Sequence, residues 1–350
     1  MTTMPISLTA TADDDGRRLD RILRKALPDV PLSAIHRLLR KGSVLVDGEK
    51  AAISYRVKTG QTITINSKNL SQGHIEPSVR GTEDTAKNKT TPLFSVPPCL
   101  SEMKFESMLL FEGAGLLVLN KPAGLQVHGR ESLEDMVRLY LALKLPPSLS
   151  FRPGPLHRLD RPSSGVIAFS TSLEGARFFS AMMQNRMIKK QYLALVSGVI
   201  EKAEVWEDEL VRDERQKKTF RSDAIHGASK PGGAKTALTR ISPLAEDGER
   251  TLILAEIETG RTHQIRAQAA GRGHPLLGDR KYGGAVYGVG GDFLLHAWRM
   301  EFSVKTDNNE YGGIPRELPK CIEAPLPENF LDKIRNFFGK GIITKRLSNL

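Results

Sequence analysis

The stretch from Gly154 to Ser170, GPLHRLDRPSSGVIAFS, sets one carboxylate, Asp160, between two arginines, Arg158 and Arg161. The turn-prone run Pro162-Ser163-Ser164-Gly165 follows, and the apolar run Val166 to Phe169 then reads as a strand. A lone acid at the mouth of a strand can cap a turn or do chemistry. The rest of the chain decides between these.

The chain has 350 residues and a formal net charge of +11. That length suits two domains, or one large domain with an appendage. Its two cysteines, Cys99 and Cys321, lie far apart without metal-ligand spacing, which suggests a reducing, cytoplasmic setting. The N-terminal residues lack the basic and apolar regions of a signal peptide. No apolar run approaches the ~18 residues a membrane span needs. A strong positive balance without a membrane segment points to a polyanion, most simply nucleic acid. The surplus is concentrated: from Gly16 to Lys68, twelve lysines and arginines stand against four acids, a local charge of +8.

Within that basic segment, Leu19, Ile22, Leu23, Ala26 and Leu27 recur at helical spacing, with Arg17, Arg21, Arg24 and Lys25 mostly on the other face. A second helix is expected from Pro31–Ser33 to Gly42, packing Leu32, Ile35, Leu38 and Leu39 and offering His36, Arg37, Arg40 and Lys41 to solvent. SVLVDGEKA is a hairpin signal with Asp47-Gly48 at the turn, and Thr62–Ile65 alternates as a half-buried strand does. Residues 1–15 are expected to be disordered. Residues 67–104, poor in periodicity, are read as a flexible linker.

From Phe105 the chain becomes globular, and a catalytic domain is expected over 105–340, with a C-terminal tail at 341–350. KKQYLALVSGVI, AKTALTRISPL, RTLILAEIETG and DFLLHAWRMEFSV read as strands, while LEGARFFSAMMQNRMI and ENFLDKIRNFFGKGI read as amphipathic helices. Strands outnumber helices and no βαβ alternation repeats, so the expected class is α+β with a mixed, largely antiparallel sheet. GGAVYGVGGD does not follow a strand and open a helix, so a dinucleotide fingerprint is not indicated. No GxSxG elbow, clustered carboxylates or metal-ligand spacing are visible.

Four loops stack polar residues against short strands: NKPAGLQVHG, PLHRLDRPSSG, KKQYLALVSG and TGRTHQIRAQAAGRGHPLLGDRKYGG. Their order and spacing resemble the RluA-type pseudouridine synthases over about Phe105 to Val304. The resemblance makes Asp160 the catalytic aspartate, Tyr192 the tyrosine of the following strand and Arg266 the arginine that pairs with Asp160. It also offers Arg158, His157, Arg261, His263, Gln264 and Lys121 as substrate-binding residues. Residues 16–66 are similar to the S-four-type RNA-binding module, which implies RNA contacts for Arg17, Arg21, Arg37, Arg40 and Lys41. Pro162-Ser163 and Gln268 depart from the family pattern, the latter where it would touch the pocket edge.

The implied reaction cleaves the N1–C1′ bond of a uridine, rotates the uracil and joins C5 to C1′. It needs no redox change, so neither cofactor nor metal is expected. It needs an ionised carboxylate in a pocket that excludes water, and a two-pronged Arg266 is expected to keep Asp160 charged and oriented. The resemblance implies that Arg158 pushes into the space left by the flipped base or holds a neighbouring phosphate. The expected substrate is large-subunit ribosomal RNA. The rivals are transfer RNA with the same chemistry, or a catalytically silent RNA-binding assembly factor. No membrane or protein partner is implied, and a monomer is expected.

Overall fold

The structure is a computed structural model. It describes residues 5–27, 30–66, 105–145, 148–224, 233–285, 293–303, 314–339 and 341. The expected linker, 67–104, and nearly all of the expected tail lie outside the described residues.

The chain forms two compact units. The first contains the described residues up to Asn66, together with 137–154 and 171–174. Its elements begin with β1 (Ile6–Thr9), α1 (Leu19–Ala26) and α2 (Leu32–Arg40), followed by β2 (Val44–Val46), β3 (Glu49–Lys50) and β4 (Thr62–Ile65). Leu19, Ile22 and Leu23 of α1 and Ile35, Leu38 and Leu39 of α2 are buried in one core with Val44, Val46, Ile63 and Ile65. Leu32, expected on that apolar face, stands exposed at the start of α2. The hairpin forms as its sequence demands, with Asp47 and Gly48 both at positive φ, 51° and 85°.

One expectation needs correction here, and the compact unit extends past the expected module. Residues 6–9 are a strand, not disorder: β1 pairs antiparallel with β4, Ile6 opposite Ile65 and Thr9 opposite Thr62, in a sheet of order β1-β4-β2-β3. Nor is the first unit confined to 16–66. Asp14 is fully buried and accepts hydrogen bonds from Thr11 N, Leu149 N and Ser150 Oγ. Arg17 and Lys25 both donate to the Ser150 carbonyl, and Leu149 packs on the core. Burial alone would raise the Asp14 carboxyl; its hydrogen bonds from Ser150, Thr11 and Leu149 outweigh that and hold it below its ordinary value.

The second unit is built on one large sheet. Its strands are β5 (Leu109–Gly113), β6 (Leu116–Lys121), β7 (Gly154–Pro155), β8 (Ser164–Ser170), β9 (Ile188–Ser197), β10 (Glu204–Asp213), β11 (Lys218–Arg221), β12 (Lys235–Glu246), β13 (Arg250–Ile257), β14 (Leu295–Phe302) and β15 (Cys321–Glu323). The helices are α3 (Leu133–Ala142) and α4 (Leu173–Gln184), whose first residues or last residues fall in the first unit, then α5 (Gln264–Ala270) and α6 (Glu328–Phe338). The strand order is β11-β10-β12-β13-β9-β14-β8-β6-β5. Every neighbouring pair is antiparallel except β14 with β8. This is the mixed, largely antiparallel α+β sheet expected.

The parallel seam explains Gly165. Gly165 lies opposite Ala297 of β14 with φ at 108°, and a Cβ there would sit 2.1 Å from the Ala297 carbonyl oxygen. Only glycine lets the chain leave the Asp160 loop and enter the sheet this closely. The reading of the sequence passed over α3, β10 and β11. In β10, EVWEDELVRD, the alternation is disguised because one inward residue is Asp208, which is buried and bonded to Gln268 Nε2 and Arg272 Nη1, both at 2.8 Å.

Candidate active site

Asp160 sits on the loop between β7 and β8. The loop turns tightly, with Ser163 N donating to the Asp160 carbonyl at 3.0 Å. It is held from below by Lys121, the last residue of β6. Lys121 is fully buried, and its ammonium donates to the carbonyls of Pro122 (2.9 Å), Leu125 (2.7 Å) and Arg161 (3.1 Å). Burial pushes its pKa down to about 7, against the pull of the Asp160 charge. Arg161 adds a bond from Nε to the Gly124 carbonyl at 3.0 Å.

Arg266 comes from α5, whose N-terminal neighbour His263 is left-handed at φ 55°. The Arg266 guanidinium donates from Nη1 to Asp160 Oδ2 at 2.7 Å. Its two-pronged face goes elsewhere, Nε to Asp279 Oδ2 at 2.6 Å and Nη2 to Asp279 Oδ1 at 2.9 Å. The expectation of a forked Arg266–Asp160 pair is therefore corrected. The deeper acid takes the fork, because Asp279 has almost no access to water and an ionised carboxylate there needs both bonds. The guanidinium carbon also lies 4.2 Å from the Phe293 ring centre and 4.9 Å from that of Tyr282. Among the described residues Asp160 Oδ1 makes no hydrogen bond, so one carboxylate oxygen stays available beside the cavity.

His263 completes this corner. The Tyr282 hydroxyl accepts from Thr219 N at 2.9 Å and lies 2.9 Å from His263 Nδ1. The hydroxyl and the imidazole share one hydrogen bond there, whose donor is set by the tautomer of the neutral ring. Nε2 is 3.8 Å from Asp160 Oδ2. Burial lowers the His263 pKa to about 4, overriding the Asp160 charge, so the ring is neutral at neutral pH.

Tyr192 on β9 is buried and faces Ala255 of β13 and Ala297 of β14, two small neighbours that leave space beside its ring. Burial first, then the Asp160 charge, raises its pKa, so the group is a neutral phenol. Asp160, Tyr192, Arg266, Arg158 and Arg261 all line one cavity of about 310 Å³.

Other expected contacts have their polar atoms engaged within the protein. His157 Nε2 accepts the Ala168 amide at 3.0 Å, and burial lowers its pKa to about 3. The Gln264 amide is shared among Thr259, Arg261, Leu238 and Thr239. Gln268 is not at the pocket edge: it is fully buried and bonded to Thr239, Trp206, Asp208 and Ala237. Arg261 is exposed but donates from Nε to the Thr236 carbonyl. In the first unit Arg21, Arg37, Arg40 and Lys41 are exposed, whereas Arg17 is half-buried on Ser150. Asp279, Tyr282 and Lys190 were missed as site residues. Asp279 was the one acid in GHPLLGDRKYG, and Lys190 shares the strand face of Tyr192 at i − 2.

A carboxylate with one anchored and one open oxygen, beside a buried tyrosine in a cavity open on one side, suits an isomerase acting on a base presented by RNA. Residues 115–271 match the RNA pseudouridylate synthase family and residues 17–63 match the S4 domain. The chain belongs to the RNA pseudouridylate synthase family and is an RNA pseudouridine synthase carrying an N-terminal S4 domain. It is 31% identical over 326 residues to ribosomal large subunit pseudouridine synthase C of Vibrio parahaemolyticus, covering 90% of this chain and 94% of that protein. It is also 31% identical over 342 residues to the protein of the same name from Escherichia coli, covering 93% and 95%. Human RNA Pseudouridylate Synthase Domain Containing 4 shares the fold, with a TM-score of 0.52 at 20% identity over 67% of this chain and 94% of that one. No helix among the described residues is long and apolar enough to cross a membrane.

Proposed function

We propose that this enzyme isomerises specific uridines of large-subunit ribosomal RNA, acting as a cytoplasmic monomer with Asp160 as the catalytic group. The observation that carries the reading is the division of Arg266 between two acids, which leaves Asp160 oriented through Oδ2 and open through Oδ1. The relatives named for the large ribosomal subunit support the choice of RNA.

In this reading the target uridine is flipped into the cavity at a cost of a few kcal/mol, and exposed Arg158 fills the gap in the stack. Asp160 acts on the sugar and base as the N1–C1′ bond breaks. The base turns, C5 bonds to C1′, C5 loses its proton and N1 gains one, so atoms and charge balance without a co-reactant. Tyr192 packs against the uracil as the neutral phenol. Lys121, His157 and Gln264 hold the loops around the cavity; Arg21, Arg37, Arg40 and Lys41 meet RNA phosphates.

Mapping pseudouridines in ribosomal and transfer RNA from cells with and without the gene tests this. Loss of one or more sites in large-subunit RNA is expected. Loss confined to transfer RNA would replace the substrate, and no loss anywhere would leave only an RNA-binding role.

A further inference from the structure

Lys190 is the buried charge that the chemistry described so far does not use. Its side chain belongs to β9, where burial alternates: Ile188, Lys190 and Tyr192 point inward while Lys189 is exposed. Lys190 is 5% exposed, yet it lines the same cavity as Asp160 and Tyr192. Its ladder partners are Ile257 and Met300, both apolar. The ammonium lies against the Gly260 backbone, 3.6 Å from where a Cβ would stand. Among the described residues no carboxylate pairs with it, and burial is the only influence on its pKa, lowering it to about 8. The nearby His157 ring is held neutral and supplies no counter-charge.

An ammonium without an anion is costly to keep in such a place. Apolar Met there would pack against Ile257 and Met300 at no such cost, so the charge needs a partner that arrives from outside. Uracil oxygens are neutral acceptors and would offset little of the cost. The fixed anions of RNA are its phosphodiesters. Lys190 stands two residues from Tyr192 on one strand face, about 7 Å along β9, comparable to the span from a base to its own phosphate.

We propose that Lys190 is a substrate-binding residue that takes a phosphate flanking the flipped uridine, and so sets how deeply the nucleotide enters. This rests on the proposed reading of the cavity as the uridine site. Lys121 cannot serve instead, since its three N–H donors are taken by three carbonyls, and the Arg266 charge is already shared between two carboxylates, Asp160 and Asp279.

The test uses a synthetic RNA carrying the mapped uridine, and two copies in which the phosphate on its 5′ or 3′ side is a neutral methylphosphonate. The full-length parent, Lys190→Met and Lys190→Arg are compared for Kd against salt and for single-turnover rate. Lys190→Met should bind the native RNA roughly tenfold more weakly and lose about 0.7 from the slope of log affinity against log salt. Lys190→Arg should restore the slope. One methylphosphonate RNA should already show this loss with the parent, and Lys190→Met should add nothing to it. Unchanged Kd and slope in Lys190→Met overturn the proposal. So does an equal loss on all three RNAs, or a fall in rate alone, which would put Lys190 on the base. If Lys190→Met does not fold, Lys190→Gln is read by the same criteria. A parent that forms no pseudouridine in this RNA overturns the underlying reading as well; a working parent with an indifferent Lys190→Met overturns only the phosphate contact.

Discussion

Arg266 gives two N–H donors to Asp279 and one to Asp160. One cation thus serves two carboxylates of different burial, the deeper one as anchor and the shallower one at the cavity. The anchor fixes where the third donor points, so Asp279 sets the position of Asp160 without touching the cavity wall.

Asp279→Asn and Asp160→Asn should therefore fail in different ways. Asp160→Asn keeps the shape but loses the charge, and should abolish isomerisation with RNA affinity and stability nearly intact. Asp279→Asn turns an NH₂ group toward the guanidinium and leaves a buried cation half-paired. We expect a stability loss of about 3–5 kcal/mol and a single-turnover rate lowered by about two orders of magnitude. Urea unfolding and rapid-quench rates check both. An Asp279→Asn enzyme as fast as the parent would remove its positioning role.

Arg266→Lys keeps the charge without the fork. One ammonium cannot bond both oxygens of Asp279 and still reach Asp160 with the same geometry. The rate should fall well below the parent yet stay above Arg266→Met, which leaves two carboxylates facing an apolar stem. Equal rates for Lys and Met variants would mean that the charge itself contributes nothing.

Lys121→Met strips three carbonyls of their donor at once. Each buried acceptor left unsatisfied costs about 1–3 kcal/mol, so a loss of about 3 kcal/mol or more is expected. Activity should fall with it, because the Arg161 carbonyl is one of the three and the residue before it is Asp160. A Lys121→Met protein unchanged in urea midpoint would show that water replaces the ammonium.

Acid should destabilise the protein well above the carboxylate range. His157, His263 and His296 have folded pKa values lowered to about 3, 4 and 4, chiefly by burial. Between the ordinary histidine value near 6.5 and about 4, the unfolded chain binds protons that the folded one does not. Stability must then fall as pH falls through that window, by at most about 1.4 kcal/mol per pH unit for each ring. Urea midpoints at pH 7 and pH 5 measure this, and equal midpoints would contradict burial of neutral rings.

The exposed bases of α2 should act on affinity alone. Deleting residues 1–66 would uncover Leu149 and strand Ser148–Ser150, so charge removal is the cleaner probe. In Arg37→Gln/Arg40→Gln/Lys41→Gln the slope of log affinity against log salt should fall by about two to three units, with the bound single-turnover rate unchanged. An unaltered slope would make these charges a solvated face.

Local pattern was enough for much of this protein. Leucines three and four apart make α1 and α2 amphipathic whatever they pack on, Asp47-Gly48 can turn only one way, and alternation puts Tyr192 on the buried face of β9. Periodicity did not single out Asp160, Tyr192 and Arg266; the order and spacing of the motifs that carry them did, through their resemblance to a known family. Three relationships were not legible. Arg266 prefers Asp279 to Asp160, Lys121 ties three carbonyls rather than RNA, and Leu149 and Ser150 join a core and a hydrogen-bond cluster with residues more than 80 positions earlier. Each turns on which polar groups lose their water when distant segments meet. A carboxylate's claim on an arginine is set by its burial, and burial belongs to the assembled fold rather than to any stretch of sequence.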